Sequence, residues 1–92
     1  MKGDGKIIEA LNDNTIQDFT WNGGEGVLLA YSQGWSGRTL KLQQLIGNAY
    51  VDIEDATLTN SGGFKFTTTA PKIAVILSGS STDAVYVSVQ GL

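Results

Sequence analysis

The sequence predicts an all-β domain: a small antiparallel β-sandwich, jelly-roll or immunoglobulin-like, of about seven or eight short strands. Three observations predict it. Glycine-rich turns recur at Gly23-Gly24, Gly34, Gly37, Gly47, Gly62-Gly63, Gly79 and Gly91, and most of the intervals suit strands joined by turns. The segments between them are rich in Val, Ile, Thr, Leu and aromatic residues, which fit a pleated, half-buried surface. No segment carries a convincing amphipathic helical pattern. One buried face per strand favours two packed sheets. A closed barrel is the alternative, because alternation alone does not separate the two.

The elements follow in order. Residues 1–14 mix turn formers with Ile7, Ile8 and Leu11 and are expected as a flexible N-terminal arm. That arm is either frayed, with one short strand or turn, or docks on a neighbouring subunit through its apolar residues. Residues 15–92 form the single β-sandwich domain. Thr15 to Trp21 is the first strand, ended by the turn Asn22-Gly23-Gly24-Glu25. In Gly26 to Ser32, Val27, Leu29 and Tyr31 share one face, and Leu28, Ala30 and Ser32 the other. Gln33 to Gly37 is a loop. Thr39 to Gln43 alternates, and Gln43-Gln44 breaks the pattern, as a bulge or strand end does. Ala49 to Ile53 and Ala56 to Thr59 are two further short strands. Phe64 and Phe66 share a face beyond the turn Asn60 to Gly63. Pro71 cannot donate to a ladder and is expected to begin or precede a strand. Ile73 to Leu77 is apolar on both faces, as a central strand is. Ala84 to Gln90 closes the chain, with Val85, Val87 and Val89 opposite Tyr86, Ser88 and Gln90. The expected inward set is Val27, Leu29, Leu40, Leu42, Val51, Leu58, Phe64, Phe66, Val75, Leu77, Val85 and Val87.

Composition narrows the functions. The 92 residues carry a net charge of −3, with six basic and nine acidic side chains, so there is no basic footprint for nucleic acid. No apolar run reaches the length of a membrane span, and Met1 to Lys6 lacks the apolar core of a signal peptide. A product made in the cytoplasm, with neither nucleic acid nor membrane as partner, is expected. With no cysteine and no histidine, thiol chemistry, disulfides and the commonest general base are excluded. A chain this short buries roughly 60–65% of its unfolded surface, so oligomerisation would add stability.

No pattern of residues reads as a catalytic site. Gly23-Gly24-Glu25-Gly26 lacks the helix and the Gly-Lys-Ser/Thr ending of a phosphate loop, and reads as a tight turn. Ser78, Ser80 and Ser81 have no evident activating base and read as turn residues. Asp52, Glu54 and Asp55 supply too few oxygens for calcium, and Asn12-Asp13-Asn14 lacks the calcium-loop spacing. No metal and no cofactor is expected. Trp35, between two glycines, is either a loop anchor for a partner or sugar, or a lid folded back over the sandwich end. Trp21 reads as core or turn support. Tyr86, Ser88 and Gln90 present a polar outer face with one aromatic, suited to solvent or to a modest subunit contact.

The serial order of several short motifs resembles small structural proteins of tailed bacteriophages, of the capsid-decoration or cement type. The motifs are Trp21-Asn22-Gly23-Gly24, Gly34-Trp35, Thr39 with Leu42-Gln43, Tyr50-Val51-Asp52, Leu58-Thr59, Gly63-Phe64, Pro71, Ser78-Gly79 and Val85-Tyr86-Val87. They span residues 19–90. The resemblance implies a non-enzymatic virion component on the capsid surface, plausibly a homotrimer, whose partner is the shell of major capsid protein. Ile7, Ile8, Leu11, Trp35 and Tyr86 are the expected partner-interface residues. The competing expectation is a carbohydrate- or receptor-binding module of a phage tail or spike, with Trp35, Trp21 and Tyr50 as its platform. A structural subunit of a non-phage assembly is a third.

Overall fold

The computed structural model describes residues 5–8, 16–79 and 82–92. Eight strands form among them: β1 (Gly5–Ile8), β2 (Gln17–Thr20), β3 (Gly24–Ser32), β4 (Thr39–Ile46), β5 (Ala49–Leu58), β6 (Gly62–Thr68), β7 (Lys72–Ser78) and β8 (Val85–Gly91). They make two four-stranded sheets, β1-β8-β3-β6 and β2-β7-β4-β5, and every ladder is antiparallel. First pairs with last, second with seventh, third with sixth and fourth with fifth. A long antiparallel ribbon rolled on itself gives that order, and the sandwich is therefore a jelly roll rather than an immunoglobulin-like domain or a closed barrel.

Local chemistry accounts for most boundaries. Gly23 and Gly24 take φ of 85° and 97°, which a residue with a Cβ adopts at a cost, and the chain reverses there between β2 and β3. Pro71 directly precedes β7, and its carbonyl accepts from the Trp21 amide, tying the start of β7 to the end of β2. β7 lies between β2 and β4, and Ile73, Ala74, Val75 and Leu77 are all buried, as its two-sided apolar pattern predicts.

The core lies between the sheets. Leu28, Ala30, Phe66, Val85, Val87 and Val89 enter it from one side, and Leu40, Leu42, Ile73, Val75 and Leu77 from the other. Trp21 closes one end against Phe66, with ring centroids 5.3 Å apart. Gly26 makes that contact possible: a Cβ there would stand 2.6 Å from Phe66 Cζ and 2.7 Å from Trp21 Cη2. Near that end Thr68 Oγ1 donates to Gln44 Oε1 at 2.6 Å, joining the two sheets.

Two expectations are corrected, the phase of β3 and the division of residues 49–59. Val27 and Leu29 were assigned inward, but β3 runs in the opposite phase. β3 pairs with β8 so that Leu28, Ala30 and Ser32 face Val89, Val87 and Val85, and these pairs point into the core. Val51 lies on the inner face, in the row of Gln44 and Ile73, but on edge strand β5 it stands 44% exposed, beyond the buried core. The two strands expected over 49–59 are one bulged strand. Lys41 pairs with Thr57 and Gln43 with Asp52, so residues 53–56 oppose Leu42 alone, and Asp55 takes φ of 63° at the bulge. Residues 5–8 form one short strand in the N-terminal segment, as one of the two readings of that segment expects, and its backbone pairs with β8 at the sheet edge.

Candidate interaction surface

The two outer faces of the sandwich differ in chemistry. On the sheet β2-β7-β4-β5, Asp18, Ala74, Gln43 and Asp52 line up in one row across all four strands. Gln43 Nε2 donates to Asp52 at 2.9 Å, and Lys41 Nζ reaches the same carboxylate at 3.4 Å. Tyr50 Oη donates to Asp18 at 2.7 Å. Tyr50 stands on one edge strand and Asp18 on the other, so this bond clasps the sheet across β7 and β4. The Tyr50 hydroxyl holds the Asp18 carboxyl below the usual carboxylate range, and Asp18 in turn pushes the Tyr50 phenol up. Gln43, helped by Lys41, lowers Asp52 in the same way. These bonds tie several polar groups of the face to one another.

The outer face of β1-β8-β3-β6 is apolar. Ile7, Ser88, Leu29 and Gly63 form one row across the four strands. The next row holds Tyr86 opposite Tyr31, with ring centroids 6.4 Å apart and planes 23° from parallel. Ile7 is 71% exposed, Leu29 54%, Tyr31 53% and Tyr86 49%. Leu29 lies over Gly63, where a Cβ would stand 2.6 Å from Leu29 Cδ2, so the absent side chain lets Leu29 lie flat. A shallow groove of about 280 Å³ runs between Ile7, Leu29 and the tyrosine pair. Beyond the tyrosines a second hollow of about 240 Å³ adds Gln33, Asp83 and Ala84. The opposite end of the face carries Val27, Gln90, Lys65, Glu25 and Thr67. An apolar centre with polar ends is the make-up of a protein contact surface.

The expected interface residues divide accordingly. Ile7 and Tyr86 meet on this face. Ile8 points the other way and is buried in the core, because neighbours on a strand alternate. Trp35 is buried too, folded back over the sandwich end rather than projecting. Its indole Nε1 donates to Ser61 Oγ at 3.1 Å, and Ser61 also accepts from the Ser32 amide. Leu11 lies outside the described residues, as do Ser80, Ser81 and Asn12 to Asn14. With Trp21 and Trp35 buried and Tyr50 bonded to Asp18, the expected sugar platform does not form.

Val27 and Leu29, expected inward, lie on the outer face of β1-β8-β3-β6, and Tyr31 lies with them. Both phases of β3 are apolar, so alternation alone did not orient the strand. The register against β8 decides it, and the strict alternation of Val85, Val87 and Val89 was the available clue. Among the described residues no three acidic side chains converge on a metal position.

Arg38 holds the loop at the Trp35 end. It is buried, with Nε donating to the Trp35 carbonyl at 3.0 Å and Nη2 to the carbonyls of Gly34 at 2.9 Å and Asp83 at 2.7 Å. The guanidinium thereby fastens the β3–β4 loop to the segment entering β8, beside the tyrosine pair. Scans against family models and searches of characterised proteins and solved structures found no match for this chain.

Proposed function

We propose that this chain is a structural component of a tailed-phage virion that decorates the capsid and strengthens it through repeated protein contacts. The observation that carries the reading is the apolar outer face of β1-β8-β3-β6. Isolated exposed apolar residues are ordinary, but a contiguous patch of two tyrosines, an isoleucine and a leucine marks an interaction site. The motif order read from the sequence supports the phage assignment. The jelly roll is compatible with it, since virus shell proteins and lectins both use this fold, although a fold alone does not specify a function. The mechanism is multivalent: contacts that are weak singly, repeated by a symmetric oligomer, bridge neighbouring shell subunits and slow their separation. Its place of action is the outer surface of the capsid.

The test is co-sedimentation of the purified protein with undecorated phage heads. Saturable binding that Leu29→Asp weakens at least about tenfold supports the reading, and this corresponds to about 1.4 kcal/mol. Absence of binding to heads, or binding indifferent to Leu29, refutes it. A point substitution is preferred to deletion of the N-terminal segment, because β1 is an edge strand of the sheet and its removal bares β8.

A further inference from the structure

We infer that the outer face of β1-β8-β3-β6 binds the same face of a second copy, making a two-fold dimer. The inference rests on reading this face as a protein contact surface, and it names the occupant.

Shape favours a second copy. Two sheets with the common twist pack face to face at about 30°, so an identical sheet is a complementary surface. The face has both parts of a self-fitting contact. The Ile7 side chain projects, and the groove of about 280 Å³ beside Leu29 and the tyrosines can receive it. In a two-fold arrangement each copy offers the knob and the groove once.

Charge agrees. The rows of Ile7, Ser88, Leu29 and Gly63 and of Tyr86 and Tyr31 carry no charge. The face's polar end holds Lys65 and Glu25, one of each sign, whereas the whole chain carries −3. Two copies therefore meet with no like-charge penalty at the centre.

Area is sufficient. β1 has four residues, β3 nine and β6 and β8 seven each, which with strands about 4.8 Å apart and about 3.3 Å per residue present a face of roughly 430 Å². Two such faces bring together roughly 860 Å² in projection, and more in accessible surface, at the lower end of what a specific interface requires. A sugar is the weaker occupant of the groove, since its lining offers only Ser88 and the tyrosine hydroxyls as side-chain polar groups.

Light scattering on the full chain, from micromolar to near-millimolar concentration, tests this. The expected mass is twice 9.7 kDa, falling to that of one chain in Leu29→Asp and in Ile7→Asp with the β-sheet circular dichroism unchanged. Lys41→Ala, on the opposite face, keeps the double mass. If either Asp variant fails to fold, Tyr86→Ser replaces it with the same expected result. A single-chain mass throughout the range overturns the inference, as does a mass of three chains or a double mass that survives the variants. A monomer that still binds phage heads through Leu29 overturns the dimer and leaves the proposed function standing. A dimer that ignores phage heads does the reverse.

Discussion

Replacing Arg38 by methionine tests a buried polar anchor of this fold. The side chain is 1% exposed and donates to three main-chain carbonyls, of Trp35, Gly34 and Asp83. An apolar replacement of a buried ion pair is often neutral, because both charges leave together. These three acceptors are backbone carbonyls and remain. The bond to Trp35 is fully buried, and a hydrogen bond to a charged donor is worth about 1.5–3 kcal/mol. The bonds to Gly34 and Asp83 are partly buried, so those carbonyls regain water, and each loss costs about 1 kcal/mol. The total is about 3–5 kcal/mol, against a whole-domain stability of roughly 5–14 kcal/mol at this length. In urea, with a slope of about 1–2 kcal/mol/M, the unfolding midpoint falls by roughly 1.5–5 M. Arg38→Lys keeps the charge without the planar fork and falls between the two. A midpoint shift under about 0.5 M for Arg38→Met would show that the carbonyls find other partners, and would refute the role assigned to the guanidinium.

Gly26→Ala places a methyl group against Phe66 and Trp21, at 2.6 and 2.7 Å. Overpacking of about 1–3 kcal/mol should lower Tm by roughly 5–20 °C, and calorimetry showing no decrease would contradict the packing described. The Tyr50–Asp18 clasp makes stability depend on pH. Asp18 has a depressed pKa in the fold, so its contribution is present above the unfolded value of about 3.9 and is lost as pH falls through the folded one. Tyr50 has a raised pKa, so its contribution is present below about pH 10 and is lost as pH rises through the folded value. Tyr50→Phe should remove the Tyr50-dependent part of both, measured by urea unfolding at pH 3, 7 and 10.5. Identical pH profiles for the two proteins would dispose of the clasp.

Much of the architecture was legible in the residues. The valine alternation of β8, the two-sided apolar run of β7 and the glycine-rich turns each carry a local signal that the folded chain obeys. Those signals are legible because they depend on near neighbours: φ at a turn, and alternation along a strand. The jelly-roll order, the phase of β3 and the bulge in β5 depend on which strand lies alongside. Ala30 and Ser32 face inward although Leu29 and Tyr31 are larger and more apolar. The pairing with β8 sets them there, and the Trp35 indole, bonded to Ser61 beside Ser32, fills space at that end. Trp35 itself reads equally as an anchor or a lid until the acceptor on Ser61, 26 residues away, is in view. Tyr86 and Ile7 were identifiable as outward or apolar, but their union with Leu29 and Tyr31 into one face is a product of register. Composition and alternation thus determined that the chain folds as an all-β domain of short strands, and the pairing decided for two sheets over a barrel. Tertiary pairing alone decided which apolar residues were left outside, because a strand apolar on both faces takes its orientation from its neighbours.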